Sequence, residues 1–316
     1  MTHMPARQLD DSLWLLDLNF QGRAGVVAAF LVTDANGHTL IETGPGSTLA
    51  ALEVAVAAAG ARLDDVRQLL VTHIHLDHAG AAGSLLRRLP GATLFVHPKG
   101  APHMIDPSRL LASAEKIYGT QMQPLWGAFE PCPADRVMVL GDNSPVDCGS
   151  RTLVALHTPG HASHHVAFHD AERGTVFTGD VGGVRLEGAS YVRPPTPPPD
   201  IDVEQWHASV ERIRALKPRA LDLTHFGRFD DPERHLDELL FRLDAWTRWT
   251  AERLARGDSA ATMAEAMKIA TRTELADETE GTLSAADAEA YELATPSGMT
   301  VDGLVRYLTR RPKRLA

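Results

Sequence analysis

Fifteen histidines occur in this chain of 316 residues, and eight of them fall in two short segments, 73–78 and 157–169. Histidine is the commonest metal ligand and a general acid–base near neutral pH, so any chemistry is to be sought there first. The densest run is Thr72-His73-Ile74-His75-Leu76-Asp77-His78-Ala79-Gly80. In an extended segment, side chains two apart face the same way, so His73 and His75 can point together at one ion. Asp77 and His78 stand where the chain turns into a helix, offering an oxygen and a nitrogen to a second ion. Three neutral imidazoles and a carboxylate within six residues suit zinc or another borderline divalent metal. Taken singly, Asp77 could be a helix N-cap and any one histidine a packing residue. Four of them at this spacing favour a metal site. Cys132 and Cys148 are the only cysteines, too few for a thiolate zinc site or a disulfide framework.

The elements that must position these residues are legible as alternating apolar runs and helical stretches. Strands are expected at 26–32, 39–42, 68–72, 93–97, 152–157, 165–168, 175–178 and 220–224, several ending at a histidine, glycine or aspartate. Helices are expected at 49–59, 79–88, 108–118 and 203–216. Residues 98–136 are irregular between strands, and a stretch this long often shapes a binding site. The prolines of 194–199 must form an extended connector, because proline fixes φ and has no N–H to donate. After Pro232, Leu236, Leu239, Leu240, Leu243, Trp246 and Leu254 recur at helical spacing, giving a long amphipathic helix followed by polar, helix-prone chain. This reads as a mixed α/β domain over residues 1–230 and a helical C-terminal extension over 231–316.

Lys and Arg number 31 against 41 Asp and Glu, a net charge of −10. That argues against a nucleic-acid binder, whose phosphate affinity comes from clustered cations. No run approaches the roughly 20 apolar residues of a membrane span, and the start, acidic and without an apolar core, is unlike a signal peptide. A soluble cytoplasmic protein acting on a small molecule, possible as a homodimer, is the expectation.

With these residues in place, the chain resembles the metallo-β-lactamase superfamily, whose signature is H-x-H-x-D-H at the end of a strand. Thr158-Pro159-Gly160-His161, Phe177-Thr178-Gly179-Asp180 and Leu223-Thr224-His225-Phe226-Gly227 match its later motifs in order. The resemblance covers roughly residues 15–230 and implies an α/β fold, the αββα sandwich, with metals at one edge. It further implies that His73, His75 and His161 hold a first metal, Asp77, His78 and His225 a second, and that Asp180 bridges them. Glu42 stands where the family usually has an aspartate supporting the ligands from behind. Two divalent ions, zinc first with iron or manganese as alternatives, would leave room for a bridging hydroxide and substrate. Asp77 beside that hydroxide is the expected catalytic residue.

Family branches differ at positions that can be read here. His75 disfavours the flavodiiron reductases, which have glutamate there. Gly183 replaces the tyrosine that acyl-homoserine lactonases place three residues after the bridging aspartate, with Tyr191 nearby. Asp180 stands where classical β-lactamases mostly have cysteine. The ligand set is nearest the glyoxalase II-like group, which implies hydrolysis of a carboxylic thioester or ester. Alternatives are a lactonase or phosphoesterase of the same fold, or a mononuclear iron persulfide dioxygenase. His164, Tyr118, Trp126 and Tyr191 are candidate substrate-pocket residues, the second and third from an insertion rich in apolar side chains. His97, His103 and His157 are expected to be structural or rim residues. His164 and His165 are expected not to point inward together, by pleat alternation.

Overall fold

Every residue of the segment Ala28–Val32 is buried, because it meets apolar partners on both faces. Ala28, Phe30 and Val32 face one core, and Ala29 and Leu31 face another. That two-sided alternation is the signature of a strand inside a layered sandwich. A computed structural model describes residues 4–278 and 285–310. Seven strands form the first sheet in sequential order: β1 (Ala6–Gln8), β2 (Leu13–Asp17), β3 (Ala28–Val32), β4 (His38–Ile41), β5 (Val66–Leu70), β6 (Thr93–Val96) and β7 (Val137–Val139). Pairing is antiparallel up to β4 and parallel from β4 to β7. The second sheet runs in the order β13 (Gly227–Phe229), β12 (Ala220–Leu223), β11 (Thr175–Phe177), β10 (Val166–Asp170), β9 (Thr152–His157) and β8 (Ser144–Asp147). Only β11 and β12 pair in parallel.

Between the sheets, Leu13, Leu15 and Phe30 meet Leu153, Phe168 and Phe177. The Phe30 and Phe177 rings meet edge to face at 5.1 Å, a contact worth about 0.5–1.5 kcal/mol beyond its burial. Helices cover both outer faces. α1 (Leu49–Ala58), α2 (Leu76–Ala79) and α3 (Ala82–Arg88) lie on the first sheet. α4 (Ala101–Ile105), α5 (Ser108–Tyr118) and α6 (Met122–Trp126) build the insertion before β7. α7 (Val203–Ala215), α8 (Pro232–Ala255), α9 (Ala260–Glu278), α10 (Ala285–Ala294) and α11 (Ser297–Arg310) complete the chain. The α7 N-cap is Asp202, whose carboxylate accepts from Gln205 N at 3.1 Å, worth about 1 kcal/mol.

The expected αββα architecture is what the chain adopts. The expected stripe of α8 buries Leu236, Leu239, Leu243 and Trp246 against Trp206, Leu221 and the α11 residues Val301 and Leu304. Tyr291 of α10 enters the core of the first sheet, so the helices after Pro232 pack into both outer layers. Two expectations shift. The helix expected at 79–88 begins earlier and divides into α2 and α3, and strands β1, β2, β7, β8 and β13 carried no expectation from the sequence. Most of those are short or peripheral strands, with too few residues to display a period. Among the described residues, no helix is long and apolar enough to cross a membrane.

Candidate metal centre

Four strands of the two sheets end at the same edge, and each delivers ligands just beyond its last residue. β5 leads into Thr72 and His73, with His75 capping α2 and Asp77 and His78 inside it. β9 leads to His161, β11 to Asp180 and β12 to His225. Two glycines permit the convergence. Gly160 has φ +142°, and a Cβ there would lie 2.3 Å from the Trp206 backbone, so only glycine lets the His161 turn rest on α7. Gly179 has φ +49°, and its Cβ would lie 2.5 Å from the Thr72 hydroxyl, so the Asp180 turn can press against the His73 strand.

The seven side chains form two clusters, His73, His75, His161 and Asp180, and Asp77, His78 and His225. In the first, His73 Nε2 lies 2.9 Å from His75 Nδ1 and 3.2 Å from His161 Nε2, which is 3.0 Å from His75 Nδ1. Tetrahedral zinc with ligands at 2.0–2.1 Å needs nitrogens about 3.3 Å apart, so these three nearly stand at ligand positions. Asp180 faces both clusters: its Oδ2 is 3.3 Å from His161 Nε2, and its Oδ1 is 3.1 Å from His78 Nε2 and 3.4 Å from His225 Nε2. Asp77 Oδ2 lies 3.5 Å from His225 Nε2. Among the described residues, His78 Nε2, Asp180 Oδ1 and His225 Nε2 are buried without a hydrogen-bond partner. Three orphaned polar atoms aimed at one point are what a buried cation satisfies. The residues present therefore fit a pair of divalent ions.

The opposite ring nitrogens fix the tautomers. His161 Nδ1 donates to the Pro195 carbonyl and His225 Nδ1 to the Val26 carbonyl, both at 2.8 Å. Each Nε2 then carries the lone pair a metal requires. Glu42, fully buried, accepts from the Thr72 hydroxyl at 2.5 Å, from Thr72 N at 3.2 Å and from the Thr224 hydroxyl at 3.2 Å, and meets His78 Nδ1 at 2.9 Å. It thus ties its own strand end to two motif segments, 72–78 and 223–227. Its backbone lies in the left-handed region, φ 64°.

Electrostatics divides the clusters. Burial, with repulsion from neighbouring imidazoles, holds His73 well below the ordinary histidine range and takes His75 down to about 4. Burial also lowers His161 against the pull of Asp180. In the second cluster burial opposes charge, but Asp180, Glu42 and Asp77 outweigh it and raise His78, and Asp180 and Asp77 raise His225. The same pairing overrides burial at the carboxylates, taking Asp77 to about 2 and Asp180 well below the usual range.

A cavity of about 470 Å³ opens above His75, Asp77, Asp180 and His225. Tyr118, Trp126 and His164 line it, as expected from the sequence. Trp126 stacks on Phe20 at 5.5 Å and meets Tyr118 edge to face at 5.1 Å. Tyr191 does not line it. Its ring is buried beneath the Arg242 guanidinium at 4.0 Å and its hydroxyl donates to Glu274 at 3.0 Å, because the strap facing the cavity is Pro195 and Pro197–Pro199, several residues further on. His164 and His165 lie in a turn before β10, so strand alternation does not govern them. His164 faces the cavity, with Nδ1 buried and, among the described residues, unpartnered. His165 lies behind His73, its Nδ1 2.8 Å from the Thr158 hydroxyl and its Nε2 accepting from Val181 N. His97 and His157 pair at 4.2 Å, and His103 lines the cavity. The sequence reading missed Thr72, whose place beside His73 was a usable signal. The wall formed by residues 292–296, Met299 and Thr300 is built by the helical extension, in which no single pocket residue was expected.

Residues 22–225 match the sequence model of the metallo-beta-lactamase superfamily. A metallo-beta-lactamase fold-containing protein of Sulfurisphaera tokodaii is 30% identical over 183 residues, 56% of this chain and 68% of that protein. The human acyl-coenzyme A thioesterase MBLAC2 is 25% identical over 233 residues, 68% of this chain and 77% of that protein. A hydroxyacylglutathione hydrolase of Fuscovulum blasticum is 29% identical over 194 residues, 61% of this chain and 59% of that protein. Among solved structures, a metallo-beta-lactamase family protein from Thermus thermophilus superposes with a TM-score of 0.67 at 21% identity, over 96% of this chain and 95% of that one. It shares the fold, the C-terminal helices included.

Proposed function

This chain belongs to the metallo-β-lactamase superfamily, and from that membership we propose that it is a two-metal hydrolase of carboxylic thioesters or esters. The observation that carries the reading is the convergence of seven donors, in two clusters sharing Asp180, on the floor of one cavity. His73, His75 and His161 would hold one ion, Asp77, His78 and His225 the other, with Asp180 between them. Bound there, two divalent ions would lower the pKa of water and polarise the substrate carbonyl.

The chain's own residues supply the remainder. Asp77 belongs to the second cluster and reaches the cavity floor, so its carboxylate can orient a water and hold the proton that water gives up. The net change is hydrolysis: the water oxygen bonds to the carbonyl carbon, the bond to sulfur or oxygen breaks, and the thiol or alcohol leaves with a proton. Tyr118, Trp126 and Phe20 keep bulk water off one side of the reacting bond. Similarity to an acyl-coenzyme A thioesterase and a hydroxyacylglutathione hydrolase supports the choice of thioesters.

The test is a panel of thioesters, lactones, phosphodiesters and lactams run on one zinc-loaded preparation. Thioester hydrolysis abolished by chelation and restored by zinc is expected. Oxygen uptake by an iron-loaded protein that leaves every thioester intact would overturn the reading.

A further inference from the structure

The charged residues that line the cavity divide unequally. Of its four acids, Asp77 and Asp180 belong to the metal clusters, Asp200 accepts from the Ser163 hydroxyl at 2.8 Å, and Glu292 is paired with Arg193 at 3.1 Å. Its two permanent cations, Lys99 and Arg109, have no ion pair and no side-chain hydrogen bond among the described residues. Arg109 and His103 act electrostatically on the exposed Asp106, which already accepts from Ser108 N at 3.1 Å. Elsewhere the acidic surface pairs most arginines, so two unpaired cations at one mouth run against the trend of a chain with net charge −10.

The cavity is also polar along its length. Arg109 sits in the first turn of α5 and Tyr118 at its last residue. Nine residues at 1.5 Å each separate them by about 14 Å. Lys99 and His103 also line the cavity, as does His164, whose ring lies 5.8 Å from that of His75. Phe20, Leu125 and Trp126 gather at the Tyr118 end, on the side of Asp77, whose charge acts on Tyr118.

We propose that this is a two-ended substrate site: Lys99 and Arg109 bind an anionic group on one side of the scissile bond, and the Tyr118–Trp126–Phe20 wall binds an apolar group on the other. The substrate class is an amphipathic ester or thioester with a carboxylate or phosphate some 14 Å from its apolar tip. The helix N-terminus beneath Arg109 adds positive potential at the anionic end. This extends the hydrolase reading, but the binding geometry stands apart from the chemistry.

The experiment uses zinc-loaded protein and two fluorescent probes that differ in one sulfonate, 8-anilinonaphthalene-1-sulfonate and uncharged N-phenyl-1-naphthylamine. Lys99→Ala and Arg109→Ala each weaken the sulfonate probe about threefold and together about tenfold, as expected for partly exposed cations. They leave the uncharged probe unchanged, and Trp126→Ala weakens both. Lys116→Ala, on the same helix but off the cavity, changes neither. A double variant that binds the sulfonate as wild type does, or a Lys116→Ala loss as large as that of Arg109→Ala, overturns the proposal. A second arm compares hexanoyl thioesters of a neutral, a carboxylate-bearing and a phosphate-bearing thiol. A wild-type preference for one anionic thiol that the double variant loses supports the site and identifies the anion. Retention of that preference in the double variant contradicts it. Probe binding that behaves as expected while no thioester is cleaved would reject the hydrolase reading and leave the two-ended site standing.

Discussion

On the floor of the cavity, His73, His78, His161 and His225 are all buried, and each turns its outer nitrogen to a fixed oxygen: the Thr72 hydroxyl, Glu42, the Pro195 carbonyl and the Val26 carbonyl. On the walls, Ile117 is 45% exposed, and among the described residues Tyr118 offers its hydroxyl only to the Met299 sulfur at 3.2 Å and Trp126 Nε1 has no partner. A thioether sulfur is a weak acceptor. The floor is thus over-determined by hydrogen bonds from four strand ends, while the walls are held by apolar contact between segments distant in sequence. Chemistry that tolerates little displacement is placed on the first, and recognition that must adapt to a ligand is placed on the second.

If this division is right, the largest effects come from the floor. Asp77→Ala should cut hydrolysis by about 10²–10⁴-fold while one ion stays at the three-histidine cluster, whereas His161→Ala should release that first ion. Turnover of Asp77→Ala at the wild-type rate, with metal bound, would remove Asp77 from its assigned role.

Next in size is the buttress behind the floor. His235 of α8 is buried, donates through Nε2 to the Gly182 carbonyl at 2.7 Å, and burial takes its pKa down to about 4. The unfolded chain therefore accepts a proton near pH 6.5, before the folded one does. Stability is complete above that pH and is lost as pH falls from 6.5 through about 4, by up to about 3 kcal/mol from this group. Denaturant midpoints across this window should fall more steeply in the wild type than in His235→Gln. Parallel profiles would show that the buttress does not titrate in this way.

Glu42→Gln should lower metal affinity or activity about 10–100-fold with the fold intact, because the amide replaces a carboxylate that serves Thr72, Thr224 and His78 together. Metal titration followed by thermal unfolding separates the two effects. An unaltered affinity would make Glu42 only a backbone anchor. The smallest effects belong to the walls. Trp126→Ala and Tyr118→Ala should raise KM several-fold and reorder the preferred acyl groups with both ions retained, a shift near 1 kcal/mol of apolar contact. Loss of metal in either variant would erase the distinction between floor and walls.

The same division sets what the sequence discloses. The floor is local: His73 to His78 span six residues, and Gly160-His161, Gly179-Asp180 and His225 each follow a strand whose apolar run marks its end. Glu42 was legible too, because it closes β4 before Thr43-Gly44. The layer order was implied by the family resemblance, and the packing of α8 followed from periodicity. The walls were legible residue by residue only on one side, through the aromatic and methionine content of 98–136, and on the other only as a helical extension with no pocket residue marked. Their other side, around Met299 and Glu292, lies about two hundred residues from the first ligands and is brought there by the seating of α11 on α8 and α9. Tyr191 was misjudged for the same reason: nearness in sequence to Asp180 did not say which face of the strap meets the cavity. Lys99 and Arg109 are ordinary surface residues until the partners of every other charge in the cavity are known.

The central claim is that one floor holds two ions through a shared Asp180. Elemental analysis of zinc-reconstituted protein, freed of unbound metal by gel filtration, measures it directly. The account predicts two ions per chain. Saturation at one ion per chain would contradict it.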